Sequence, residues 1–170
     1  MEFYKILYQA EKKNKPRSPL NQSDIVFGTN QNAFGIRYSP EKYNKLLNDE
    51  EVFSFFIENS IKQLLMTNFK FITLINFQSE FQLELIDFKC KNEVDYSDFL
   101  KEDLELNYLG DWIDNYDLEI SQVYFRLNNA YLISIKSNGV LGFDSAAYDC
   151  ENYCIEKLIS FLGFGPVHKL

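Results

Sequence analysis

Histidine and tryptophan occur once each in the 170 residues, cysteine three times, proline four and glycine seven. The one histidine, His168, stands near the C-terminus, so a Ser-His-Asp arrangement or a histidine-rich metal centre lacks its material. Cys90, Cys150 and Cys154 are odd in number and lack C-x-x-C spacing, which argues against a disulfide framework. Cys150 and Cys154 stand four apart on a predicted helix with no third and fourth ligand nearby, and read as small buried core residues. The nucleophile-elbow, phosphate-loop, dinucleotide and H-E-x-x-H patterns are all missing. No apolar run approaches the ~18 residues of a membrane span. The opening MEFYKILYQAEKK has an early glutamate and a short apolar stretch, unlike a signal peptide. Together these absences predict a cytoplasmic chain without a catalytic signature, a metal site or a cofactor.

What is abundant is apolar and aromatic. Hydrophobic residues make up 46% and aromatic ones 16%, enough to bury a ring-rich core, and no linker divides the chain. One domain over 1–170 is expected. EFYKILYQ predicts an opening strand, and the polar, proline-containing stretch over 10–24 an exposed loop. Short strands are expected at DIVFG and AFGIRYS. Ser39 followed by Pro40 marks a helix start, and Asp49 followed by Glu50 and Glu51 marks a second. Phe53, Phe56, Ile57, Ile61, Leu64 and Leu65 then recur at helical spacing, so helices are predicted near 40–66 with those residues facing the core.

Phe69, Phe71, Ile75 and Phe77 fall at alternate positions, as do Phe81, Leu83 and Leu85, and predict a hairpin over 69–90 with a bulge near Leu85. A meander is expected over 118–144, turning at Asn128-Asn129 and Asn138-Gly139. A last helix is expected over 145–162, capped by Asp144 or Ser145 and ended by Gly163. The fold class is α+β: an antiparallel sheet of N-terminal strands, hairpin and meander, packed with these helices.

The charge is uneven. The chain carries −8, yet segment 93–119 alone holds ten acids against Lys101, which leaves the rest at +1. A folded chain has no need of such self-repulsion, and the segment reads either as a solvated connection between the hairpin and the meander or as a docking surface for a cationic partner. Tyr96, Phe99, Tyr108, Trp112 and Tyr116 interleave with those acids. Trp and Tyr are enriched where binding energy concentrates, and surrounding charges set encounter rate and selectivity. Trp112 fits two roles, an anchor beneath the segment or the centre of an interface. Asp111, Asp114 and Asp117 recur every third residue but miss the calcium-loop pattern.

The expected function is a non-catalytic acidic binding protein whose partner is a basic protein, not nucleic acid or membrane. In its most concrete form it is an immunity protein that inhibits a bacterial toxin such as a nuclease. The expected contact residues are Glu102, Asp103, Glu105, Tyr108, Asp111, Trp112, Asp114, Tyr116 and Asp117. The alternatives are a phage anti-defence protein imitating nucleic acid, and a metal-dependent hydrolase built on carboxylates.

Overall fold

The computed structural model describes residues 1–10, 18–91 and 118–164. They form an α+β fold: one antiparallel eight-stranded sheet with four α-helices and two 3₁₀ turns. The strands are β1 (Glu2–Gln9), β2 (Ile25–Phe27), β3 (Ala33–Arg37), β4 (Ile61–Gln63), β5 (Leu83–Cys90), β6 (Ile120–Leu127), β7 (Tyr131–Lys136) and β8 (Val140–Phe143). The helices are α1 (Pro40–Leu47), α2 (Glu50–Glu58), α3 (Asn68–Asn76) and α4 (Ser145–Phe164). The sheet runs β2-β3-β1-β8-β7-β6-β5, and β4 pairs with the C-terminal half of β1.

Local signals account for most of these boundaries. Ser39 caps α1, accepting a hydrogen bond from the Lys42 N–H, with Pro40 in the first turn. Asp49 caps α2 by accepting from the N–H groups of Glu51 and Val52. The β6–β7 turn places Asn128 and Asn129 at φ 49° and 57°, the positive angles asparagine tolerates. Gly139 turns β7 into β8 at φ 75°, and a Cβ there would stand 2.1 Å from the Leu64 carbonyl oxygen. The bulge expected near Leu85 is present, as the β5–β6 register shifts between Leu85 and Asp87.

The sheet has two unlike faces. Alternate residues such as Ile6, Val123, Phe125, Ile133, Ile135 and Leu141 meet α3 and α4 in the main core. On the other face, Leu7, Phe34 and Ile36 meet Val52 and Phe56 of α2 in a second, smaller core. Lys5 shares this second face at 5% exposure, and its amine donates to the Asn138 carbonyl oxygen. Burial lowers its pKa. Tyr43 of α1 lies beside it, and its buried hydroxyl has no hydrogen-bond partner among the described residues.

Several expectations are corrected. The helical stripe does not reach residue 66: α2 ends at Glu58, Ser60 takes φ 51°, and Ile61 opens β4. Phe53, Ile57 and Leu65 are exposed, and Val52 and Phe56 supply the buried side of α2. The hairpin over 69–90 is absent, because its first arm is helix α3. Thr67 caps that helix, and Phe71, Leu74 and Ile75 form its buried side, a helical three-then-one spacing. Gly163 does not end α4; it lies within the helix, where a Cβ would meet the Ala33 Cβ at 2.6 Å. Its missing side chain lets the helix close on the sheet. Cys150 is exposed, so the core reading fails there, whereas Cys154 is half-buried and packs against the main core. The α4 residues in the core are Ala147, Ile155, Leu158, Ile159 and Leu162. The loop expected over 10–24 lies partly outside the described residues; its described part carries a 3₁₀ turn at Gln22–Asp24 and the buried Leu20.

Candidate functional site

The predicted contact residues Glu102, Asp103, Glu105, Tyr108, Asp111, Trp112, Asp114, Tyr116 and Asp117 lie outside the described residues, as does His168. What the structure places is the root from which their segment springs. It is inserted between β5 and β6, which are hydrogen-bonded neighbours, so both its ends meet at one place on the sheet.

Five interactions tie that root. The Lys91 backbone N–H donates to the Glu119 carbonyl at 2.8 Å, and the Lys91 amine pairs with the Glu119 carboxylate. The Ser121 hydroxyl donates to the Lys89 carbonyl at 3.0 Å. Asn68, the first residue of α3, reaches across with both ends of its carboxamide. Its Nδ2 donates to the Leu118 carbonyl at 2.5 Å, and its Oδ1 accepts from the Ile120 N–H at 2.9 Å. This copies the pairing a neighbouring strand would give and satisfies main-chain groups of two buried residues. Leu118 and Ile120 are sunk in the main core, so the return of the chain into the sheet is fixed by packing as well.

Beside the root is an apolar shoulder. Leu65 and Phe69 are 62% and 76% exposed, and they flank a groove that also borders Lys91 and Glu119. The Lys70 amine donates to the Leu65 carbonyl at 3.1 Å, and partial burial lowers its pKa. Sequence reading missed this shoulder because it assigned Leu65 and Phe69 to inward-facing stripes. The available signal was Thr67 followed by an unbroken apolar run, which a capped helix explains as well as a strand does.

Burial pushes the Cys90 and Cys154 thiols up, away from the thiolate form a nucleophile needs. Among the described residues no group of three or more His, Cys, Asp and Glu stands close enough to hold a metal ion. Several of their acids already have partners: Glu2 with Arg37, Glu41 with Lys45, Glu84 with Arg126 and Asp144 with the N-terminal amine. No helix among them is long and apolar enough to cross a membrane. Compared with family models, with curated proteins and with solved structures, the chain matches none.

Proposed function

We propose that this chain is a non-catalytic acidic binding protein of the cytoplasm that neutralises a basic protein, most concretely as the immunity protein of a bacterial toxin such as a nuclease. The observation that carries the reading is where the surplus charge is attached. The segment holding ten acids and five aromatic residues is inserted at a single pinned root, next to the exposed Leu65 and Phe69. Concentrated charge beside exposed apolar surface is the composition of a docking face: the charge steers the encounter, and the rings and aliphatic side chains hold the complex.

In this mechanism nothing reacts. Carboxylates of Asp111, Asp114, Asp117 and their neighbours Glu102, Asp103 and Glu105 pair with lysines and arginines that would otherwise grip phosphates. Tyr108, Trp112 and Tyr116 supply the apolar contact. Steering of this kind raises association to about 10⁸–10⁹ M⁻¹s⁻¹ at low salt, which suits an inhibitor that must reach its target before damage is done.

Affinity capture with the purified chain as bait, at low and high salt, tests the proposal alongside calorimetry with calcium, magnesium and manganese. Capture of a basic protein whose toxicity is relieved on co-expression supports it. Micromolar binding of a divalent cation, with no protein retained, overturns it in favour of carboxylate chemistry.

A further inference from the structure

We infer that the outer edge of β2, together with the cleft beneath it, binds an extended, uncharged peptide segment by strand addition, inserting one large apolar side chain. This site lies at the opposite end of the strand order from β5, and it does not rest on the proposal above.

Two independent features of the fold carry the inference. The first is the edge. Among the described residues strand β2 ends the sheet, and β3 is its only strand neighbour. The Gly28 N–H donates to the Ala33 carbonyl, and the register pairs Val26 with Gly35, so Gly28 and Val26 turn their main-chain groups toward β3. By alternation Ile25 and Phe27 turn theirs outward. The Ile25 N–H is satisfied by the Gln22 carbonyl, which closes the 3₁₀ turn. That leaves the Phe27 N–H and C=O presented side by side at the edge, the pair that one residue of an added antiparallel strand would engage.

The second is the cleft. A hollow of about 300 Å³ lies on the α2 side of β2, walled by Ile25, Phe27, Phe34, Phe55 and Ile61. That is within the range of roughly 300–1,000 Å³ usual for ligand clefts. No acid or base is among its described lining residues; its polar groups are carboxamides and a hydroxyl, Asn59, Gln22 and Ser18 among them. An ionised group entering it would find no counter-charge among these residues, so the occupant that fits them is neutral there.

The two features are in register. Residues directly opposite each other in an antiparallel pair project to the same face. Phe27 and Phe34, which are such a pair, both project into the cleft wall. A peptide residue bonded to the Phe27 main chain therefore sends its own side chain to the same side, into the cleft. Main-chain pairing supplies direction, and the uncharged apolar hollow supplies selectivity.

The probe is a capped neutral pentapeptide, acetyl-Ser-Thr-Phe-Thr-Ser amide, titrated to about 1 mM into the ¹⁵N-labelled full chain. The expected result is a set of amide shifts confined to Phe27, Phe55, Asn59 and their neighbours, with slowed hydrogen exchange at the Phe27 amide. Replacing the central Phe by Lys or Asp should weaken binding at least about tenfold, and N-methylating it should weaken binding about fivefold. In the protein, Phe27→Pro removes only an outward-facing N–H relative to Phe27→Ala, so it should keep the fold and bind about fivefold more weakly than the alanine variant. No shifts at the cleft, or equal binding of the Lys-centred peptide, would overturn the inference. So would equal binding of the N-methylated peptide to the wild-type chain, a comparison that stands even where the proline variant fails to fold.

Discussion

Replacing Asn68 by alanine removes both ends of the clamp at the root of the acidic segment. The Leu118 carbonyl and the Ile120 N–H belong to residues buried in the core, and alanine offers neither of them a partner. Leaving a buried polar group unsatisfied costs about 1–3 kcal/mol, so the two losses together come to about 2–6 kcal/mol. For a chain of this size that lowers the melting temperature by roughly 4–24 °C. Aspartate sharpens the experiment. At the first position of α3 a carboxylate should help the helix by about 0.3–1 kcal/mol through the dipole. The clamp argues the opposite sign, because Asn68→Asp exchanges the Nδ2 donor for an acceptor facing the Leu118 carbonyl. Urea unfolding followed by circular dichroism, with hydrogen exchange read at the Ile120 amide, measures both variants. Alanine within about 0.5 kcal/mol of wild type, with Ile120 protection unchanged, refutes the clamp. So does an aspartate variant as stable as wild type or more so.

Gly139→Ala should destabilise by about 3 kcal/mol or more, since its Cβ would be driven into the Leu64 carbonyl at a positive φ; a loss under about 1 kcal/mol in chemical unfolding would contradict that close approach. Tyr43→Phe should be neutral or stabilising by up to about 1 kcal/mol, because the hydroxyl it deletes is buried without a partner among the described residues. Burial raises the Tyr43 phenol above its ordinary 10. The unfolded chain then releases this proton first, and the contribution to stability is present below pH 10 and lost as pH rises above it. Tyr43→Phe should therefore flatten the alkaline fall seen in melts across pH 9–11.5, leaving the part due to Tyr148, whose phenol burial and Glu156 push up to about 12. An unchanged alkaline slope would contradict the assignment to Tyr43.

Much of the architecture was legible because it rests on local chemistry. Ser39-Pro40 and Asp49 cap the helices they were expected to cap, and Asn128-Asn129 and Asn138-Gly139 make the turns of the meander. The apolar run after Asp49 misled because two periods fitted it. Phe53, Phe56 and Ile57 match a helical stripe in spacing, yet α2 is short and is rotated so that Phe56 faces the sheet together with Val52, while Phe53 and Ile57 stay outside. In FKFITLINF nearly every position is apolar, so alternate rings at Phe69, Phe71, Ile75 and Phe77 satisfy a strand while Phe71, Leu74 and Ile75 satisfy a helix. Tertiary packing chose the helix, and left Phe69 outside. At the candidate site, composition located the charge, but the root could not be read. Asn68 lies 50 residues before Leu118, and no local pattern connects a helix start to a distant strand. The cleft below β2 was hidden for the same reason, since its walls come from β2, β3, α2 and β4.

The central claim is that the acidic segment is the part a basic partner grips. Wild type and the double variant Asp111→Lys, Asp114→Lys are offered as baits in parallel at about 50 mM and about 500 mM salt, with a thermal melt of each. One basic protein is expected to be held by wild type at low salt, released at high salt and lost from the variant, whose melting temperature stays within about 2 °C because acids this close in sequence repel one another. Identical capture by both baits at both salt concentrations would contradict it, as would a variant that loses stability as fast as it loses binding.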